Sequence, residues 1–194
     1  MTEEKIIKPI TNGTVIDHIT SDMWYVVYSI IRTPEIEEQI KNSLGRIAFN
    51  CPSKSYGQKD IIMIEDIFLR EETDKYKLNK IKLVSENATI NIIKDGKVIE
   101  KYKLDFPEIV YDTFKCANPA SLYEKGKAVI QRGCISHPSL ITGRPNEPIE
   151  YAHKVILAEN SFYLECLYCE KKIERKDLLT HLIKNSSEIF NSKN

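Results

Sequence analysis

The spacing of apolar and polar positions divides the chain into short segments of clear period. Residues 13–19, Gly-Thr-Val-Ile-Asp-His-Ile, are β-branched and close on Asp17 and His18, which predicts a strand delivering two polar side chains at its end. Thr20 then stands where it can cap a helix over Ser21 to Arg32, with Met23, Trp24, Val27, Tyr28 and Ile31 on one face and a stop before Pro34. Gly45 to Cys51 and Lys59 to Leu69 predict two strands joined by the turn Pro52 to Gly57. From Arg70 to about Val84, Glu71, Glu72 and Asp74 precede Lys75, Lys77, Lys80 and Lys82. That charge order suits a helix dipole, with Leu78, Ile81 and Leu83 or Val84 facing inward. Ala88 to Ile93 and Lys97 to Tyr102 flank Asp95-Gly96, a strong hairpin signal. The order β-α-β-β-α-β-β predicts an α+β fold, a ferredoxin-like α/β plait with an added strand and its helices on one face of an antiparallel sheet.

The pattern breaks at Pro107, which divides the chain into a domain over 1–106 and a smaller β-rich, cysteine-containing domain over 107–194. The second is too small to fold on apolar burial alone, and a metal would supply the missing stability. Its cysteines are Cys116, Cys134, Cys166 and Cys169. A Cys-x2-Cys turn at 166–169 presents two thiolates to one ion, and Cys116 and Cys134 complete the closed S4 shell of a structural zinc. Two other readings compete. Cys134 and His137 form a Cys-x2-His pair that can serve with Cys166 and Cys169 and leave Cys116 free, or the thiols are simply buried as small hydrophobes. Leu178 to Ile183 predicts a final short helix, whose His181 reads as a surface residue.

Composition narrows the function classes. The 194 residues are 42% hydrophobic and 29% charged, the balance of an ordinary globular protein. Lys plus Arg and Asp plus Glu are each 28, so no overall field recruits nucleic acid or an anionic membrane, and any anion site must be local. Met1 to Lys8 lacks the apolar core of a leader, and the apolar run near Met23 to Ile31 is too short to span a bilayer, so the chain reads as cytosolic. Five cysteines in a reducing compartment favour metal ligation over disulfides, with Cys51 as the spare. Neither a His-Glu-x-x-His run nor the zinc-deaminase signature is present, so zinc hydrolysis is disfavoured.

The runs Gly13 to Ile19, Lys59 to Glu65 and Ala88 to Asn91, followed by Cys134-Ile135-Ser136-His137 and Cys166 to Lys171, resemble the aspartate carbamoyltransferase regulatory chain over most of residues 6–173. The resemblance implies a non-catalytic subunit of pyrimidine biosynthesis that binds nucleoside triphosphates (CTP, UTP or ATP, with or without Mg2+) in its first domain. It also implies pairing through that domain as a homodimer, one structural zinc per chain, and docking of the zinc domain onto trimers of the catalytic chain. The positions matching the family's nucleotide site are Ile10, Asp17, His18, Lys59, Asn91, Val98 and Lys101. Lysine, amide and carboxylate side chains there suit phosphate, base and ribose or a bridging cation. Two departures stand out. Met63 replaces a second lysine of the family, which should weaken nucleotide binding, and Cys116 and Cys134 enclose a much longer insertion. A chain of this kind that had lost its response would remain a structural clamp, and a zinc-ribbon nucleic-acid binder is the remaining alternative.

Overall fold

The computed structural model of the chain describes residues 9–42, 45–55, 57–117, 122–124, 127–129 and 151–182. The chain divides into two compact units, Met1–Phe106 and Pro107–Asn194.

The first unit runs β1 (Gly13–Thr20), α1 (Trp24–Ile31), α2 (Pro34–Lys41), β2 (Arg46–Ser53), β3 (Gly57–Glu65), α3 (Glu71–Asn79), α4 (Ile81–Val84), β4 (Thr89–Lys94) and β5 (Lys97–Lys103). Its sheet has the order β2-β3-β1-β4-β5, and every neighbouring pair is antiparallel. This is the expected α+β plait, with each helical region broken in two. Thr20 does not cap α1. It remains in β1, where its N–H donates to Ser85 Oγ at 2.8 Å, and the helix begins after Met23 without a side-chain cap. The second piece, α2, was not foreseen, although its signals are ordinary: Thr33 Oγ1 accepts from the Ile36 N–H at 3.3 Å, and Pro34 opens the first turn.

Period-two alternation gives the sheet two different faces. Ile16, Ile62, Ile64, Ile90 and Ile92 are sealed, together with Val26, Val27 and Ile31 of α1, Leu78 of α3 and Ile81 of α4. The alternate positions Val15, Ile61, Met63 and Ile93 form a separate apolar cluster with Ile10, Ala48 and Cys51. Gly13 opens β1 at φ +126°, where any Cβ would collide with the Ile64 carbonyl oxygen, so only glycine lets β1 lie this close to the end of β3. The β4–β5 turn is Asp95-Gly96 with both φ angles positive, as the dipeptide predicts.

The second unit contains β6 (Ile109–Tyr111), β7 (Leu122–Glu124), β8 (Lys127–Val129), β9 (Ala152–Ala158), β10 (Ser161–Cys166) and β11 (Lys172–Glu174). A single 3-10 turn (Arg175–Asp177) and α5 (Leu178–His181) follow. Four strands make an antiparallel sheet in the order β11-β10-β9-β6, and β7 and β8 pair separately. Val110, Phe114, Ala152, Phe162, Leu164, Ile173 and Leu178 form its apolar interior. Among the described residues no helix is long and apolar enough to cross a membrane.

Candidate functional site

The second unit gathers its thiols at the end of β10. Cys166 closes that strand, and the chain reverses at once: the Glu170 N–H donates to the Cys166 carbonyl and the Cys166 N–H to the Lys171 carbonyl, both at 3.0 Å. Glu170 takes φ +59° to complete the turn. Cys116, which follows β6 and the Phe114–Leu182 bridge, reaches the same place, its Sγ 3.3 Å from that of Cys169. Three of the four expected zinc cysteines therefore converge. Cys134 and the competing His137 lie outside the described residues.

A further donor stands beside them that spacing did not reveal. His153 of β9 is the cross-strand partner of both Cys166 and Val110. It is 1% exposed, and neither ring nitrogen has a hydrogen-bond partner. One ligand atom each from Cys116, His153 and Cys166 lie within 4.8 Å of one another. A buried, unpartnered imidazole is costly unless something fills its coordination, and a metal ion among thiolates would do so. Burial, with a smaller contribution from His181, pushes the His153 pKa down to about 4, so the ring is neutral at physiological pH, the form that ligates metal. The donor set fits zinc, which takes sulfur and imidazole together. No regular sequence spacing links His153 to the cysteines, and only the β9–β10 register brings it in.

In the first unit the expected nucleotide positions fall on the face of the sheet opposite the sealed isoleucines. Register orders them in rows. Gly13 pairs with Ile93, which pairs with Val98; Met63 and Asn91 flank Val15, and Asn91 pairs with Lys101; Asp17 pairs with Thr89, which pairs with Lys103. Val98 and Lys101 are three residues apart and would face opposite ways in a regular strand. An irregularity between Ile92 and Ile93 brings both against same-face residues of β4.

The rows change character along the strands. Ile10 is buried with Ile93 at the apolar end, in one cluster with Met63 of the middle row, and Val98 is exposed beside Ile93. Asn91 is mostly buried and donates to the Val15 carbonyl at 3.3 Å. At the polar end Asp17 accepts from Lys59 Nζ at 2.7 Å and lies 3.2 Å from His18 Nδ1. Its other tie is to the His18 N–H, at 2.7 Å, which holds His18 at φ +58°. Burial lowers the His18 pKa, and Lys59 and Lys101 push it the same way against the opposing pull of Asp17. The Ser85 hydroxyl, bonded by Thr20 and donating to the His18 carbonyl, ties this end of β1 to the end of α4. Beneath the loop, the buried Asp60 accepts from the N–H groups of Asp22 at 2.9 Å and Asn50 at 3.0 Å, a fastening that sequence pattern did not expose.

Two clefts open around His18 and Asn87. One, of about 480 Å3, includes Ser21, Gln58 and Lys59. The other, of about 270 Å3, includes Thr89, Lys82, Lys101 and Lys103. The expected site residues His18, Lys59 and Lys101 thus line these clefts, while Ile10, Asn91 and Val98 stand further along the face. Met63 is 5% exposed in the apolar cluster and does not line either cleft.

The family model of the aspartate carbamoyltransferase regulatory chain, allosteric domain, matches residues 5–105. Among curated proteins, the aspartate carbamoyltransferase regulatory chain of Methanocaldococcus jannaschii is 37% identical over 87% of this chain and 92% of its own length. That of Methanococcus maripaludis is 39% identical over 89% and 95%, and that of Proteus mirabilis 34% identical over 87% and 91%. The chain belongs to the aspartate carbamoyltransferase regulatory chain family.

Proposed function

We propose that the chain is the non-catalytic regulatory subunit of an aspartate carbamoyltransferase. In this reading its first unit binds a nucleoside triphosphate on the open face of the sheet, and its second unit docks a metal-stabilised domain onto the catalytic chains. The observation that carries the nucleotide reading is the gradient across the rows, from Ile10, Ile93 and Val98, through Asn91 and Lys101, to Asp17, His18, Thr89, Lys59 and Lys103. From Gly13 to Asp17 the strand advances roughly 13 Å at about 3.3 Å per residue. That length suits a nucleotide laid along the strand, its base at the apolar end and its phosphates among the lysines.

In this reading Asn91 orients the base or ribose, Lys59 and Lys101 meet phosphate oxygens, and Asp17 with His18 stands beside the ribose or a phosphate-bound Mg2+. The zinc site takes Cys116, Cys166 and Cys169, with Cys134 as the fourth ligand of the family pattern and His153 as the competing donor. Zinc would supply structural stability there and no chemistry. The convergence of Cys116 with the Cys166–Cys169 turn supports its inclusion.

Calorimetric titration of the purified chain with CTP, UTP and ATP, beside aspartate saturation curves of the assembly with its catalytic chain, tests the proposal. Binding that shifts the curves is expected. No binding at millimolar nucleotide would overturn the site, and binding without any shift would leave a structural clamp. The clamp reading has one observation in its favour: Met63 occupies the middle row as a buried apolar side chain, where it offers phosphate nothing.

A further inference from the structure

The metal centre of the second unit has more donors than a closed shell can use. Zinc in a structural site takes four ligands. The family pattern offers four thiolates, Cys116, Cys134, Cys166 and Cys169, and His153 is a fifth donor beside them.

Three observations separate His153 from a residue buried for packing alone. Its ring is 1% exposed with no hydrogen-bond partner at either nitrogen, so the lone pair of the neutral imidazole is unfilled in the interior. The sheet fixes its place: pairing of β9 with β10 sets it directly opposite Cys166, and pairing with β6 sets Val110 on its other side. Residues directly opposite on antiparallel strands carry their side chains on one face. Finally, one ligand atom each from Cys116, His153 and Cys166 lie within 4.8 Å of one another, and Cys116 Sγ is 3.3 Å from Cys169 Sγ. Zinc–sulfur bonds of about 2.3 Å and zinc–nitrogen bonds of about 2.0 Å place the corners of a tetrahedron roughly 3.5–3.8 Å apart. Side-chain rotation closes the remaining gap without moving a strand.

We propose that His153 is a reserve zinc ligand, which takes the coordination position of Cys134 when that thiolate is missing. Cys116, Cys166, Cys169 and His153 then keep the ion. The proposal rests on the zinc reading of this cluster and deepens it. A neutral imidazole ligates without giving up a proton, and three thiolates with one imidazole are a regular structural zinc set. The reserve covers Cys134 alone. His153 already clusters with Cys116 and Cys166, so it works with those sulfurs and not in place of them. The consequence is a domain whose metal, and with it the fold, survives the loss of one ligand.

The test loads the full chain and the variants Cys134→Ser, His153→Val and Cys134→Ser/His153→Val with zinc, removes unbound metal by dialysis and measures the zinc retained. The unfolding transition of the first unit confirms that each chain is folded there. The parent, His153→Val and Cys134→Ser should each retain one zinc, and the double variant none. Cobalt gives a second readout. Cobalt-loaded Cys134→Ser should show the charge-transfer intensity of three thiolates, with ligand-field bands at shorter wavelength than the parent because nitrogen replaces sulfur, and the double variant should lose those bands. A metal-free Cys134→Ser chain, or a double variant that holds zinc as firmly as Cys134→Ser, would overturn the reserve role. An empty His153→Val chain would overturn it as well, since His153 would then be indispensable even with Cys134 in place. A parent chain that retains no metal would instead remove the zinc reading itself.

Discussion

The first unit seals a layer of isoleucines between its five-stranded sheet and its helices, whereas the second closes a smaller sheet, with three-residue strands at both edges, around thiols and an imidazole. Burial stabilises the first without help. The second gathers three thiols and an unpartnered imidazole at one point, and a metal ion there would link the end of β10, His153 of β9 and the segment after β6. The two units should therefore respond in opposite ways to chelation and to core truncation.

Metal removal has the largest expected effect. Structural zinc contributes apparent free energies of about 10–16 kcal/mol in small zinc-binding domains, so chelation or Cys166→Ser should unfold the second unit while the first keeps its cooperative transition. Circular dichroism and elemental analysis on the same samples check this, and a metal-free second unit that stays folded would remove the contrast. Truncating Ile16 to alanine reverses the pattern. It should cost the first unit about 2–5 kcal/mol in denaturant unfolding and leave the metal content unchanged.

A smaller effect sharpens the description of the metal centre. Cobalt substitution reports the number of thiolates through its charge-transfer absorption. If Cys134 is the fourth ligand, Cys134→Ser loses intensity and His153→Val does not. If His153 ligates in its place, Cys134→Ser leaves the charge-transfer intensity at the level of three thiolates, and His153→Val instead changes the ligand-field bands. Either way His153→Val should not leave the site's stability unchanged, because the imidazole is sealed against Cys166.

The smallest effect concerns pH. The folded-state pKa of His18 is lowered, chiefly by burial, so below pH 6.5 the unfolded chain takes up a proton that the folded chain resists. Stability of the first unit should fall as pH drops through 6.5 and level off below the folded pKa. His18→Gln should flatten that part of the profile in thermal unfolding of the first unit.

The sequence exposes these features unevenly, for physical reasons. The Asp95-Gly96 turn, the β-branched run of β1 and the paired cysteines are local signals, and each is found where its pattern predicts. The helix caps were less legible, because Thr20 is an apt cap by type but is held in the ladder and bonded to Ser85. Long-range register is not written in any window. Val98 and Lys101 share a face only through a bulge, and His153 reaches Cys166 only through the β9–β10 pairing. Lys82 and Thr89 are individually ordinary, and become notable only where α4, β4 and β5 meet.

The most direct test of the regulatory reading is the mass of the complex formed when the zinc-loaded chain is mixed with the catalytic chain from the same cell and sedimented. The reading predicts an assembly larger than the catalytic trimer, with two trimers bridged by dimers of this chain, and its loss in Cys169→Ser. A zinc-loaded, folded chain that leaves the catalytic trimer at its own mass would contradict it.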